Sequence, residues 1–276
     1  MKRLLPLFLL SLALSAPHIS AENPDWHLPF PAFRIAGNLY YVGTADLAVY
    51  LIKTSKGNIL INSDFPQDLP LIRNSIKKLG LKYRDTRIIL ISHAHDDHDA
   101  AVSQIEKETC ARLMVMEPDV ASVESTAAGH PGAKVDRVLH DGDTVSLGGA
   151  TLTGHLTPGH TKGCTTWTFK TTENGKSYDV VIVGSLSLNA AVLVNNPTYP
   201  NIQEDYVKSF KLMRSLPADV FVGSHNGFYQ MEQKHALLDK GGANPYIDPA
   251  GYKALIDSSE KAFNDRVQEL KSALAR

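Results

Sequence analysis

The chain has 276 residues, 43% hydrophobic and 21% charged, with 28 basic against 29 acidic side chains. That balance excludes a basic nucleic-acid face, and the apolar fraction excludes a disordered chain. Two cysteines are too few for a disulfide-stapled scaffold or a four-thiolate zinc site, whereas eleven histidines are an unusual surplus.

Lys2 and Arg3 precede an apolar run from Leu4 to Ala16, and small or polar residues lead on to Ala21. Charged, then apolar, then small is the layout of a secretory signal. The apolar run is too short to span a bilayer, which takes about 20 residues. We therefore expect a signal peptide over residues 1–21, cut after Ala21, and one folded domain over 22–276. Export to a bacterial periplasm, with no membrane attachment after cleavage, follows from that reading. Cleavage removes two positive charges and no negative ones.

Short β-branched runs predict strands over 39–42, 48–52, 58–61, 87–91, 112–116, 151–156, 165–169, 180–183 and 219–222. Helical spacing appears over 69–79 and 100–108. It recurs at Tyr206, Val207, Phe210 and Met213, then from Tyr252 to Leu274 after a start signal at Asp248-Pro249. Hairpin-like pairs early, then strand–helix alternation, predict an α/β protein whose sheets are covered by helices.

The most informative segment follows the predicted strand 87–91 and reads Ile91-Ser-His93-Ala-His95-Asp96-Asp97-His98-Asp99-Ala100. Histidines spaced i, i+2 in extended chain point the same way. A turn then presents Asp97 and His98 at the start of the next helix. Burying unpaired imidazoles costs several kcal/mol, and packed rings repel once protonated. A divalent metal removes both difficulties by taking neutral nitrogen and carboxylate oxygen. His160 follows the predicted strand 151–156 and His225 follows 219–222. Strand ends on one rim are where α/β folds place their sites, so both read as further ligands.

The remaining histidines read as ordinary residues. His18 lies in the signal, His27, His130 and His235 are expected at the surface, and His140 and His155 half-buried and satisfied. Asp96 and Asp99 are expected to face solvent, with Asp99 supporting the following helix N-terminus. Cys110 and Cys164 read as buried free thiols rather than a disulfide pair.

The string His93-Ala-His95-Asp-Asp97-His98, with His160 and His225, resembles the metallo-β-lactamase superfamily. The resemblance implies an αβ/βα sandwich of two mixed sheets with a two-zinc site on one edge. His93, His95 and His160 would bind one zinc ion, and Asp97, His98 and His225 the other. Thioesterases and lactonases of the superfamily carry a metal-bridging Asp where residues 181–189 (VIVGSLSLN) place Ser185, and the largest β-lactamase subclass places Cys there. Ser185, together with residues 33–43 (FRIAGNLYYVG) and 158–167 (PGHTKGCTTW), is similar to subclass B3 β-lactamases. His93 in place of Asn, and His95 in place of Glu, argue against the mono-zinc and di-iron branches. Two features depart from the pattern. Asn62 replaces a common Asp, and segment 120–135 is short for a groove-bordering loop.

The implied activity is zinc-dependent hydrolysis of penicillins, cephalosporins and carbapenems, giving antibiotic resistance. Asp97 is then a ligand that also handles the nucleophile or its proton. Ser185 is assigned to a water near the second zinc, Ser187 to the substrate carboxylate and Asn189 to the carbonyl oxygen. The expected partner is a small-molecule β-lactam, and the expected state a monomer. Two alternatives remain: another metallohydrolase acting on a lactone, thioester or phosphodiester, or a non-enzymatic periplasmic zinc-binding module.

Overall fold

The computed structural model describes residues 24–127, 130–188 and 192–276. The expected signal peptide, His18 and Asn189 lie outside the described residues. Among the described residues, twelve strands form two sheets. The first runs in consecutive order β1 (Phe33–Ala36), β2 (Leu39–Tyr41), β3 (Tyr50–Thr54), β4 (Gly57–Ile61), β5 (Thr86–Leu90), β6 (Arg112–Met116), β7 (Arg137–Leu139). Strands β1 to β4 are antiparallel, and β4 to β7 are parallel. The second contains β8 (Thr144–Leu147), β9 (Ala150–Leu156), β10 (Thr165–Glu173), β11 (Lys176–Val183) and β12 (Val220–Gly223). Its order is β12-β11-β10-β9-β8, antiparallel except for the β11–β12 pair.

The period-2 pattern sorts the parallel strands onto two cores. Ile59, Ile61, Ile88, Leu90, Met114 and Met116 join Leu152, Trp167 and Phe169 between the sheets. The alternate residues Leu60, Ile89, Leu113 and Val115 pack outward. Two helices cover them: α1 (Leu69–Lys78) supplies Leu69, Ile72 and Ile76. The short α2 (Asp96–Asp99) leads into α3 (Val102–Thr109), which adds Val102 and Ile105. After β6 comes α4 (Val120–Glu124).

The other sheet is covered by α5 (Ile202–Ser215) and the long C-terminal α7 (Pro249–Leu274), with α6 (Met231–Leu238) between them in sequence. Tyr252 of α7 lies 5.7 Å from Phe221 of β12, and Phe263 lies 5.1 Å from Tyr206 of α5. Asp248 caps α7 by accepting the Gly251 N–H at 2.8 Å, where the Asp-Pro start signal stood. Helices outside two face-to-face sheets make the expected αβ/βα sandwich. No helix among the described residues is long and apolar enough to cross a membrane.

Strands β1, β7 and β8 have no counterpart in the predicted set. They are three or four residues long, and β7 exposes two of its three side chains. Neither length nor alternation distinguishes such pieces from loop. The expected helix over 100–108 begins two residues later, because Asp96–Asp99 forms a separate turn of its own.

Ile105 is fully buried between α3 and the first sheet. Ile105→Ala is expected to cost about 2–5 kcal/mol in urea denaturation, from lost transfer energy and a residual cavity. Val207→Ala, on the exposed side of α5 at 53% exposure, is expected to change stability by no more than about 0.5 kcal/mol.

Candidate functional site

The ends of β5, β6, β9, β11 and β12 bring the chemistry-bearing residues to one rim. The first anchor is Asn62, just after β4, in a left-handed conformation at φ 67°. Its Oδ1 accepts the Ser92 N–H at 2.8 Å and its Nδ2 donates to the Ala48 carbonyl at 3.1 Å. The neutral amide therefore fixes the backbone leading into His93, with no charge needed. From there the chain bends instead of remaining extended, and the His95 N–H donates to the His93 carbonyl at 3.1 Å. His95 then opens α2, its carbonyl accepting from the His98 and Asp99 N–H groups at 2.8 and 3.1 Å. Convergence of His93, His95, Asp97 and His98 thus comes from a bend and a helical turn, not from strand periodicity.

A residue beyond β6 holds two of the loops together. Asp119 accepts the Ala94 N–H at 2.9 Å, the Thr161 hydroxyl at 2.8 Å and the Gly163 N–H at 2.8 Å. Gly163 is required by this approach, since a Cβ there would stand 2.5 Å from the Asp119 carboxyl carbon. Gly159 is required on two counts, a φ of +138° and a Tyr206 ring 2.8 Å from where its Cβ would be. His160 Nδ1 donates to the Ser187 carbonyl at 2.9 Å, and the Tyr206 hydroxyl donates to the same oxygen at 2.8 Å. Ser187 therefore contributes its backbone to the site. Ser185 is buried, and its hydroxyl accepts the Ser187 N–H at 3.3 Å.

His225 follows β12 and is drawn to the loop before β3 through a bridge between Leu47 and His225. Its Nδ1 lies 3.2 Å from Asp46 Oδ2, which also accepts the Trp26 indole N–H at 3.0 Å. The rings of Trp26 and Phe228 stand 6.2 and 5.5 Å from that of His225, giving this side of the rim an aromatic wall.

One donor atom from each of His93, His95 and His160 lies within 4.8 Å of the others, and the same holds for His93, Asp97 and His98. Asp97 Oδ2 is 3.2 Å from His98 Nε2 and 3.3 Å from His225 Nε2. His93 and His160 bring their Nε2 atoms to 3.1 Å. The His160 Nδ1 hydrogen is committed to Ser187, so its neutral ring turns an Nε2 lone pair toward His93. His98 is fully buried, and apart from the approach of Asp97 neither of its ring nitrogens has a hydrogen-bond partner.

Burial, reinforced by the neighbouring rings of His98, His160 and His95, keeps His93 neutral. Burial and His95 push His160 down to about 3. Burial likewise lowers His98 against the pull of Asp97. Burial alone would raise the Asp97 carboxyl, yet His98 and His225 hold it well below the usual carboxylate range. Burial opposes charge on His225 too, but hydrogen bonds to Asp46 and Asp97 raise it to about 9. Neutral imidazoles converging on one another beside an ionised carboxylate are the donor set of a divalent metal site.

The sequence singled out His93, His95, Asp97, His98, His160 and His225, and the fold gathers all six. Asp46, Asp119 and Trp26 escaped it: each lies far along the chain from the side chain it serves, in no recognisable spacing. Several bland readings need correction. Asp99 and His130, expected at the surface, are both buried, with His130 Nε2 3.1 Å from Asp99 Oδ1. His235 is half-buried, 4.5 Å from the Phe33 ring, and His27 is half-buried with Nδ1 3.0 Å from Asp68. His140 is exposed, whereas His155 is half-buried with Nε2 2.7 Å from the Thr168 hydroxyl. Both cysteines are free; Cys110 is exposed, and Cys164 is buried, which pushes its thiol up to about 12.

Asp119→Ala strips the acceptor from three donors. Leaving buried donors unpaired costs about 1–3 kcal/mol each. We expect a loss of about 3 kcal/mol or more in urea denaturation; a loss below about 1 kcal/mol would show that the two loops hold their places without it.

Comparison with known proteins agrees with this geometry. The chain is 27% identical over 170 residues to a hydroxyacylglutathione hydrolase of Rhodopseudomonas palustris (strain BisB5), covering 62% of this chain and 58% of that relative's length. Among solved structures, the native FEZ-1 metallo-β-lactamase from Legionella gormanii superposes with a TM-score of 0.86 at 50% identity, covering 88% of this chain and 98% of that one. BJP-1, a subclass B3 metallo-β-lactamase of Bradyrhizobium japonicum, gives a TM-score of 0.86 at 36% identity, covering 91% and 98%. The family model of the metallo-β-lactamase superfamily matches residues 47–225, a span that holds all six converging side chains, and the chain belongs to that superfamily.

Proposed function

We propose that the chain is an exported zinc β-lactamase of the subclass B3 type, opening the amide of β-lactam antibiotics and so conferring resistance to them. The observation that carries this reading is the 50% identity, over 98% of its length, to the metallo-β-lactamase of Legionella gormanii. In it, His93, His95 and His160 would hold one zinc ion, and Asp97, His98 and His225 the other. Zinc, when bound, supplies Lewis acidity that lowers the pKa of water and polarises a carbonyl.

The chain's own residues do the rest. Asp97, kept ionised by His98 and His225, orients the attacking water by accepting its hydrogen bond and is assigned to handle its proton. The Ser187 carbonyl aims the His160 ring, and the Ser187 hydroxyl is assigned to the substrate carboxylate. Ser185 steadies a water on the His225 side, and Asn189 polarises the carbonyl oxygen. Trp26 and Phe228 flank His225 and offer apolar contact to the antibiotic's side groups.

A second reading, thioester hydrolysis, draws on the resemblance to hydroxyacylglutathione hydrolases. Ser185 counts against it, standing where those enzymes are expected to carry a carboxylate. The test is to purify the zinc-loaded chain and offer it penicillin, cephalosporin and carbapenem beside an S-acylglutathione. Ring opening that chelator abolishes and zinc restores is expected; thioester turnover without ring opening would contradict the proposal.

Asp46 is expected to act by holding the His225 ring. Asp46→Asn should weaken the more loosely held zinc about 10–100-fold in chelator competition, the usual cost of losing such a support. Unchanged affinity would mean that the Leu47–His225 bridge alone fixes the ring.

A further inference from the structure

A second group of metal-binding side chains lies on the far side of α2 and takes no part in the cluster described above. It comprises Asp96, Asp99 and His130, with one donor atom from each within 4.8 Å of the others. The side chain of Asp99 is 1% exposed and that of His130 7% exposed. His130 Nδ1 lies 2.9 Å from the Ser125 carbonyl, which can only accept, so Nδ1 carries a hydrogen. The other nitrogen, Nε2, faces Asp99 Oδ1 at 3.1 Å. Apart from that approach, neither buried oxygen of Asp99 has a hydrogen-bond partner.

Both oxygens of Asp99 are buried, and Oδ1 has His130 Nε2 as its neighbour while Oδ2 is left without a donor. Asp119, which also bears on Asp99, adds further negative charge, and its own oxygens are already taken by Ala94, Thr161 and Gly163. A divalent cation accepted by neutral His130 and two carboxylates balances Asp96 and Asp99 and meets the bare lone pairs.

We propose that Asp96, Asp99 and His130 form a third divalent-metal site, distinct from the five-histidine cluster. One imidazole nitrogen with two carboxylates suits zinc, and the nitrogen donor disfavours calcium and magnesium. The site is structural. Asp96 and Asp99 belong to α2, which also carries Asp97 and His98, while His130 comes from the segment after α4. The metal therefore staples that segment to the helical turn behind the main cluster. This inference does not depend on the β-lactamase reading.

The test is to titrate the metal-free chain with zinc by calorimetry and to count bound zinc by mass spectrometry after dialysis. Three equivalents are expected in the native chain. Asp96→Asn, at an exposed position that poses no folding risk, should weaken the third by at least about tenfold, and Asp99→Asn and His130→Gln should abolish it. A chain carrying His93→Ala and His225→Ala should keep this equivalent while losing the others, which separates the proposal from the fate of the main site. Two equivalents in the native chain, or a third that Asp96→Asn and His130→Gln leave unchanged, would overturn it.

Discussion

His93 and His160 bring their Nε2 atoms to 3.1 Å while the His160 hydrogen is turned away toward a carbonyl. Three more imidazoles stand close by, with ring centroids 4.3–5.0 Å apart along the cluster. Mutual repulsion and burial keep His93, His98 and His160 unprotonated, so the cluster holds neutral rings close together. Such a donor set suits a divalent cation. Much of the architecture around the rim can be understood as the means of holding that otherwise unfavourable arrangement.

The supports are backbone-directed and come from distant parts of the chain. Asn62 secures the entry to His93, Asp119 ties the His93–His95 bend to the His160 loop, and the Ser187 carbonyl sets the His160 ring. Asp46 and the bridge at Leu47 do the same for His225. Each support sits at or beside a strand end, so the rigidity of the two sheets reaches the ligand-bearing loops directly. The parallel pairs β4–β5–β6 and β11–β12 matter here because parallel strands end on the same side.

Much of this could be read from the sequence, and the limits have physical causes. The six converging residues were visible because chemistry restricts their identity and because three of them fall after predicted strands. The amphipathic helices α1, α5 and α7 were visible through their spacing. Asp46, Asp119 and Trp26 were not, since a single carboxylate or indole bonding to a distant backbone leaves no local pattern. The burial of Asp99 and His130 was missed for a related reason. It depends on where the segment after α4 lies, and that segment has no periodic sequence to predict its path. The expectation of an extended His93–His95 stretch failed because the bend there is imposed by Asn62 and Asp119, both remote in sequence.

The most direct test of this account is a pair of crystal structures of the chain, stripped of metal and loaded with zinc, with anomalous scattering recorded at the zinc edge. A preorganised site predicts zinc peaks between His93, His95 and His160 and beside Asp97, His98 and His225, with ligand backbones shifting by less than about 1 Å between the two states. Zinc density elsewhere, or rings that reach the metal only after the β5 and β12 loops rebuild, would contradict it.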